Sequence, residues 1–171
     1  IKELKKNIDA NEELNKKDFA SSKYISFHSN FTEIKNSNFY IVCVPTPVNQ
    51  RNVPNLNLLK KACLLLSKVI KKNDFIVFES TVYPGTTEEI CIPLIQKEYC
   101  KIYNIKKLEK NYFNYDYSPE RINPGDKSNT LSNVYKVVSG NNQSNLDTIA
   151  KVYSLVTNKI FKAKSIKVAE A

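Results

Sequence analysis

The sequence predicts an α/β fold, a parallel sheet with helices on both faces, and three features predict it. Short runs rich in Ile, Val, Phe and Tyr alternate with longer amphipathic stretches along the 171 residues, the order that produces a parallel sheet. Two of the runs, 39–44 and 75–78, are almost continuously apolar, as strands covered on both faces are. Neither an internal repeat nor a low-complexity linker breaks the alternation.

Strands are expected at 24–27, 39–44, 75–79, near Tyr115, at 135–139 and at 160–163, each closing near a turn former or polar residue. Between 57 and 72, Leu58, Leu59, Ala62, Cys63, Leu65, Leu66, Val69 and Ile70 recur at three- and four-residue steps with lysines between them. That spacing predicts a helix with one apolar face. A second helix is expected over 86–99, with Thr86 or Thr87 as hydroxyl cap and Glu88 and Glu89 at its positive end. A third is expected over 144–156, turning Leu146, Ile149, Val152, Tyr153 and Val156 inward. Shorter helices are expected at 1–6 and at 31–35, the latter capped by Asn30 and Glu33. The lysine- and asparagine-rich stretch 99–114 reads as a surface excursion.

Composition narrows the class further. The longest apolar runs are far too short to cross a bilayer, and the opening residues lack the apolar core of a signal peptide. A cytoplasmic protein with no membrane partner is the expectation. The first residue is isoleucine and Ala171 falls inside a helix-like stretch, so both ends read as cuts in a longer chain. Cys43, Cys63, Cys91 and Cys100 stand far apart and His28 is the one histidine, so no metal site is expected. Cys43, Cys63 and Cys91 sit among apolar neighbours and read as reduced, buried core thiols. The net charge is +9, yet the lysines are spread along the chain and only Arg51 and Arg121 are arginines. A solvated lysine surface fits that pattern better than a nucleic-acid face.

In open parallel sheets ligands bind beyond the carboxyl ends of the strands, so three loops matter. The first, Val44-Pro45-Thr46-Pro47, fixes a sharp exit from its strand and removes two amide donors. On the residues alone Thr46 serves equally as part of a rigid turn or as a ligand contact. The second, E-S-T-V-Y-P-G-T-T-E-E over 79–89, brings two hydroxyls and then a Pro-Gly turn into a helix start. Free amides at such a start can hold an anion, while Ser80 and Thr81 lie too early for capping and read as ligand contacts. The third, Ser118-Pro119-Glu120-Arg121-Ile122-Asn123-Pro124-Gly125, sets a carboxylate beside a guanidinium between two prolines and a glycine. Rigidity of that kind around Arg121 suits recognition of phosphate, carboxylate or sugar oxygens.

In this order, and with V-S-G at 138–140 and S-I-K-V-A-E-A at 165–171, the loops resemble the UDP-glucose/GDP-mannose dehydrogenase family, nearest its UDP-N-acetylhexosamine 6-dehydrogenase branch. The resemblance implies a Rossmann-like NAD-binding domain over 1–163, lacking its first strand and glycine-rich loop, with 164–171 opening a central connecting helix. It implies oxidation of the C6 alcohol of a UDP-sugar to a uronate with two NAD+, for surface polysaccharide, through a thioester on a cysteine. Pro45, Thr46, Ser80 and Thr81 would then contact the cofactor, and Thr81 would also help place the catalytic water. Glu120 would do acid–base work on the thioester or its water, and Glu120, Arg121, Ile122 and Asn123 would meet the substrate. Pro124 stands where UDP-glucose dehydrogenases carry a second glutamate, which points away from plain UDP-glucose.

The departures carry expectations too. With Gly85, Gly125 and Gly140 as its only glycines, the chain has no glycine-rich phosphate loop. The family's lysine and asparagine would follow Ala171, and none of the four cysteines matches the nucleophile. The 171 residues alone are therefore expected to be inactive, and the parent enzyme to dimerise through the central helix. The alternative is a non-catalytic remnant with at most weak nucleotide binding, against which the intact Thr81, Glu120 and Arg121 speak. A dehydrogenase of small hydroxy acids leaves S-P-E-R-I-N-P-G unexplained.

Overall fold

The computed structural model describes residues 1–10, 14–120 and 133–171. Five strands and five α-helices are found among these residues: α1 Lys16–Ser21, β1 Phe39–Val42, α2 Asn57–Leu66, β2 Phe75–Phe78, α3 Ile92–Ile102, β3 Asn114–Tyr117, β4 Lys136–Val138, α4 Gln143–Tyr153, β5 Ile160–Lys162 and α5 Ile166–Glu170. β1, β2 and β3 form a parallel sheet in that order, with Phe39 opposite Phe75 and Phe75 opposite Asn114. β4 and β5 pair in parallel as a second sheet.

The alternation of side chains along β2 explains why helices cover both faces. Ile76 and Phe78 point into a core shared with Leu59, Cys63 and Leu66 of α2, Ile92 and Ile95 of α3, and Ile166 and Ala169 of α5. Val77 points the other way, against Val138 and against Ile149, Ala150 and Tyr153 of α4. The expected fold class is what the chain forms.

Side chains do most of the joining of the two sheets. Ser118 Oγ donates to Val137 O at 2.6 Å, and Ser139 N donates to Asp116 Oδ1 at 2.8 Å. The Ser139 hydroxyl lies 2.8 Å from Asp116 Oδ1 and 2.7 Å from Tyr117 O, and accepts from Tyr117 N. One backbone bond, Asn141 N to Tyr115 O, accompanies them. Asp116 is fully buried, and burial pushes its carboxyl up to about 7 against the opposing pull of the Ser139 bonds.

Four expectations need correction. Residues 24–27 are not a strand: Tyr24 is completely exposed, and the run pairs with none of the described strands, the partner that a β-prone run needs. The helix from 57 ends at Leu66, where Ser67 donates its hydroxyl to Leu64 O, although Val69 and Ile70 stay buried in the turn that follows. Residues 86–91 form a π turn, with Ile92 N donating to Thr87 O, before α3 begins. Pro93 removes an amide from the first α-turn, which favours the wider hydrogen-bond step before it. Residues 4–6 and 31–34 are 3-10 turns rather than longer helices, the second capped by Asn30 as expected. A fifth difference is an addition, α1, whose capping box joins Asn15 to Asp18.

Candidate active site

The crest of the first sheet is built by the loops leaving β1, β2 and β3. The first two are laced together. Ser80 is buried and donates its hydroxyl to Val44 O at 2.7 Å. Thr46 returns the contact, donating to Thr81 O at 2.5 Å. Pro45 and Thr81 are exposed at the rim, and Thr46 is half-buried between them. The two prolines and these crossed bonds leave the Thr81 hydroxyl presented on a fixed backbone.

Beneath the rim lies a charged group that sequence reasoning missed. Lys136, at the start of β4, is only 3% exposed. Its ammonium donates to Glu79 Oε1 at 2.7 Å, to Ser118 O at 3.3 Å and to Pro119 O at 3.4 Å. It also lies 4.8 Å from the centre of the Tyr153 ring, a cation–π distance. Tyr153 donates its hydroxyl to the same Glu79 oxygen at 2.5 Å. Burial first, and then this bond to a carboxylate, push the Tyr153 phenol up, so it stays protonated. Two signals could have found the cluster: Glu79 ends an apolar strand, and Lys136 begins another. A charge at such a place needs a buried partner.

Cys43 corrects another expectation, because it is exposed rather than a core residue. Its thiol points to Glu79 Oε2 at 3.6 Å. Desolvation, then the charge and hydrogen bond of Glu79, push it up to about 11, and the charge of Glu120 adds to the effect. Glu120 is exposed after β3. Cys63 and Cys91 are buried, as expected. Arg121, Ile122 and Asn123 lie outside the described residues.

The helix start at 85–87 holds an anion of its own. Glu170 of α5 accepts from Gly85 N at 2.5 Å and from Thr87 N at 2.8 Å. Neither Thr86 nor Thr87 caps the helix; Thr86 donates its hydroxyl to Tyr83 O instead. A full negative charge meets the positive end of a helix better than a hydroxyl does. Among the described residues no cluster of His, Cys, Asp and Glu could hold a metal ion, and no helix is long and apolar enough to cross a membrane.

Residues 5–157 match the UDP-glucose/GDP-mannose dehydrogenase family, NAD binding domain. The chain belongs to this family. It is 41% identical to the UDP-N-acetyl-D-glucosamine 6-dehydrogenase of Salmonella typhi and 45% identical to Protein CapL of Staphylococcus aureus, over all of its own length and 39% of theirs. The chain thus spans about two fifths of the relatives it matches. Its fold superposes with a TM-score of 0.79 on the UDP-N-acetyl-mannosamine dehydrogenase Cap5O from S. aureus, at 20% identity, covering 99% of this chain and 40% of that one.

NAD is the cofactor of this family's domain, and the crest fits part of it. The rim after β1 and β2 offers the exposed Thr81 hydroxyl and the remaining lone pairs of Thr46 above a parallel sheet. No glycine-rich cradle for a pyrophosphate stands beside it among the described residues, and the helix start that could serve is taken by Glu170.

Proposed function

We propose that this chain is the NAD-binding part of a longer UDP-sugar 6-dehydrogenase. It oxidises the C6 alcohol of a UDP-N-acetylhexosamine to the uronate with two NAD+, in the cytoplasm, for surface polysaccharide. Three strand-end loops tied to one floor carry the reading: Thr46 donates to the Thr81 carbonyl, and Lys136 joins Glu79, two residues before Thr81, to the Pro119 carbonyl beside Glu120. Residues 1–163 form the cofactor domain, and 164–171 open the connecting helix through which two subunits pair.

NAD+ supplies the hydride acceptor when bound. Pro45 and Thr46 line the dinucleotide, Ser80 supports it by holding the Val44 carbonyl, and Thr81 presents its hydroxyl to cofactor and water. Glu120 takes the proton from the water that cleaves the thioester, a role that needs hydrogen-bond reach of that water. Arg121, Ile122 and Asn123 are the substrate contacts in this proposal.

The whole reading frame, expressed and given a panel of UDP-sugars with NAD+, is expected to form two NADH per sugar, and to prefer an N-acetylated hexose. One NADH per sugar would exclude the four-electron oxidation. Glu120→Gln is expected to slow thioester breakdown by roughly 10²–10⁴ while KM moves less than about threefold. Turnover equal to wild type refutes the role of Glu120. The 171 residues alone are expected to form no NADH.

A further inference from the structure

We propose that the pair of buried Lys136 and half-buried Glu79 is a positioning clamp that sets Thr81 and Glu120 relative to one another; this rests on the reading of the site as a UDP-sugar dehydrogenase. The three ammonium protons of Lys136 match three acceptors, Glu79 Oε1, Ser118 O and Pro119 O. Pro119 O belongs to the peptide that leads into Glu120, and Glu79 stands two residues before Thr81. Each bond therefore ends on a segment that delivers one of the proposed reacting groups.

Glu79 extends the clamp to the remaining loop. It accepts from Cys43, three residues before Thr46, and from Tyr153 of α4 below the sheet. One carboxylate and one ammonium thus tie the loops after β1, β2 and β3 to a common floor. Stability alone gives little reason for such a pair, because apolar residues of similar volume serve a core as well as a buried ion pair does. Placement of the loops is what an apolar pair could not supply, since it has no donors for the Ser118 and Pro119 carbonyls. Lys136 and Glu79 touch no substrate in this account and act through the groups they hold.

The test uses the enzyme from the whole reading frame, with three variants. Glu79→Gln and Lys136→Met each leave one charge of the pair without its partner, and the double variant Glu79→Gln/Lys136→Met removes both charges and keeps the volume. The double variant is expected to fold, to bind NAD+ with Kd raised by no more than about threefold, and to lose roughly 100-fold in kcat with KM within about threefold, the scale of a small misplacement at a reacting centre. Covalent enzyme–sugar adduct is expected to accumulate in a single turnover, read by intact mass, because the proton acceptor for the water is displaced. A structural role alone lowers the folded fraction and leaves no adduct. A folded double variant with wild-type kcat, or a slow one without adduct, overturns the clamp. If the wild-type enzyme oxidises no UDP-sugar, the functional reading fails first and the clamp falls with it. A separate readout on the 171-residue chain needs no activity. Glu79→Gln is expected to speed alkylation of Cys43 by iodoacetamide about tenfold, as the thiol loses its negative neighbour. An unchanged rate removes the contact on which the link to the first loop depends.

Discussion

Asp116 accepts both the amide and the hydroxyl of Ser139 on one oxygen, while its Oδ2 is buried without a hydrogen-bond partner among the described residues. Its carboxyl is pushed from 3.8 to about 7, chiefly by burial. The native state therefore binds more protons than the unfolded chain between these values, and stability falls as pH rises through that window. Stabilisation is complete below about 4 and lost above about 7, a difference on the order of 2–4 kcal/mol. Urea unfolding of wild type and Asp116→Asn checks this. The variant is expected to match wild type near about pH 5 and to exceed it near about pH 8; parallel curves would refute the assignment. At this scale the sequence told part of the story. The placement of Thr46, Ser80, Thr81 and Glu120 on strand-end loops was legible, because such loops carry a short list of polar residues. Cys43 misled because Val42 and Val44 flank it, although neighbours along an extended chain face opposite ways. The Lys136–Glu79 bond was hidden because its partners are 57 residues apart and only the register of the sheets brings them together.

Where α5 meets the π turn, one carboxylate decides whether two elements dock. Glu170 is nearly buried and satisfies Gly85 N and Thr87 N, while Ile166 and Ala169 fill the core beside it. Glu170→Ala leaves two buried amides unpaired and is expected to cost about 2–4 kcal/mol, with exchange of the α5 amides accelerating first. Loss below about 0.5 kcal/mol would show that water replaces the carboxylate without penalty. Gly85 prepares the same junction. Its φ of +92° suits glycine, and an added Cβ would stand 3.1 Å from the Glu89 carboxylate. Gly85→Ala is therefore expected to destabilise by roughly 1 kcal/mol in thermal or urea unfolding. Element types were legible wherever apolar spacing persisted, as in α2, α3 and α4. The run at 24–27 failed because β propensity describes a side chain's fit to a sheet and cannot create a neighbour. The short α1 went unread because its signal was the pair Asn15 and Asp18 rather than any apolar period.

Across the whole molecule the parallel architecture was readable from the alternation of elements, but its division into two sheets was not. That division is set by four short polar side chains, Asp116, Ser118, Ser139 and Asn141, which occupy the place of a backbone ladder between β3 and β4. β2 is paired on both sides and covered on both faces, whereas among the described residues β5 pairs only with β4 and exposes Phe161. Local opening requires few broken contacts in the second sheet and many in the first. Amide exchange is expected to fall into two classes, with β2 protected to the level of global unfolding and β4 and β5 released earlier. Ser139→Ala removes the hydroxyl that joins Asp116 to Tyr117 and should speed exchange in β4 and β5 while leaving β2 nearly unchanged at low denaturant. Uniform acceleration of all five strands would mean that the sheets open as one unit. The lower stability of the second sheet would then have to be abandoned, and with it the notion that Lys136, which belongs to β4, reaches the crest from a separately opening element.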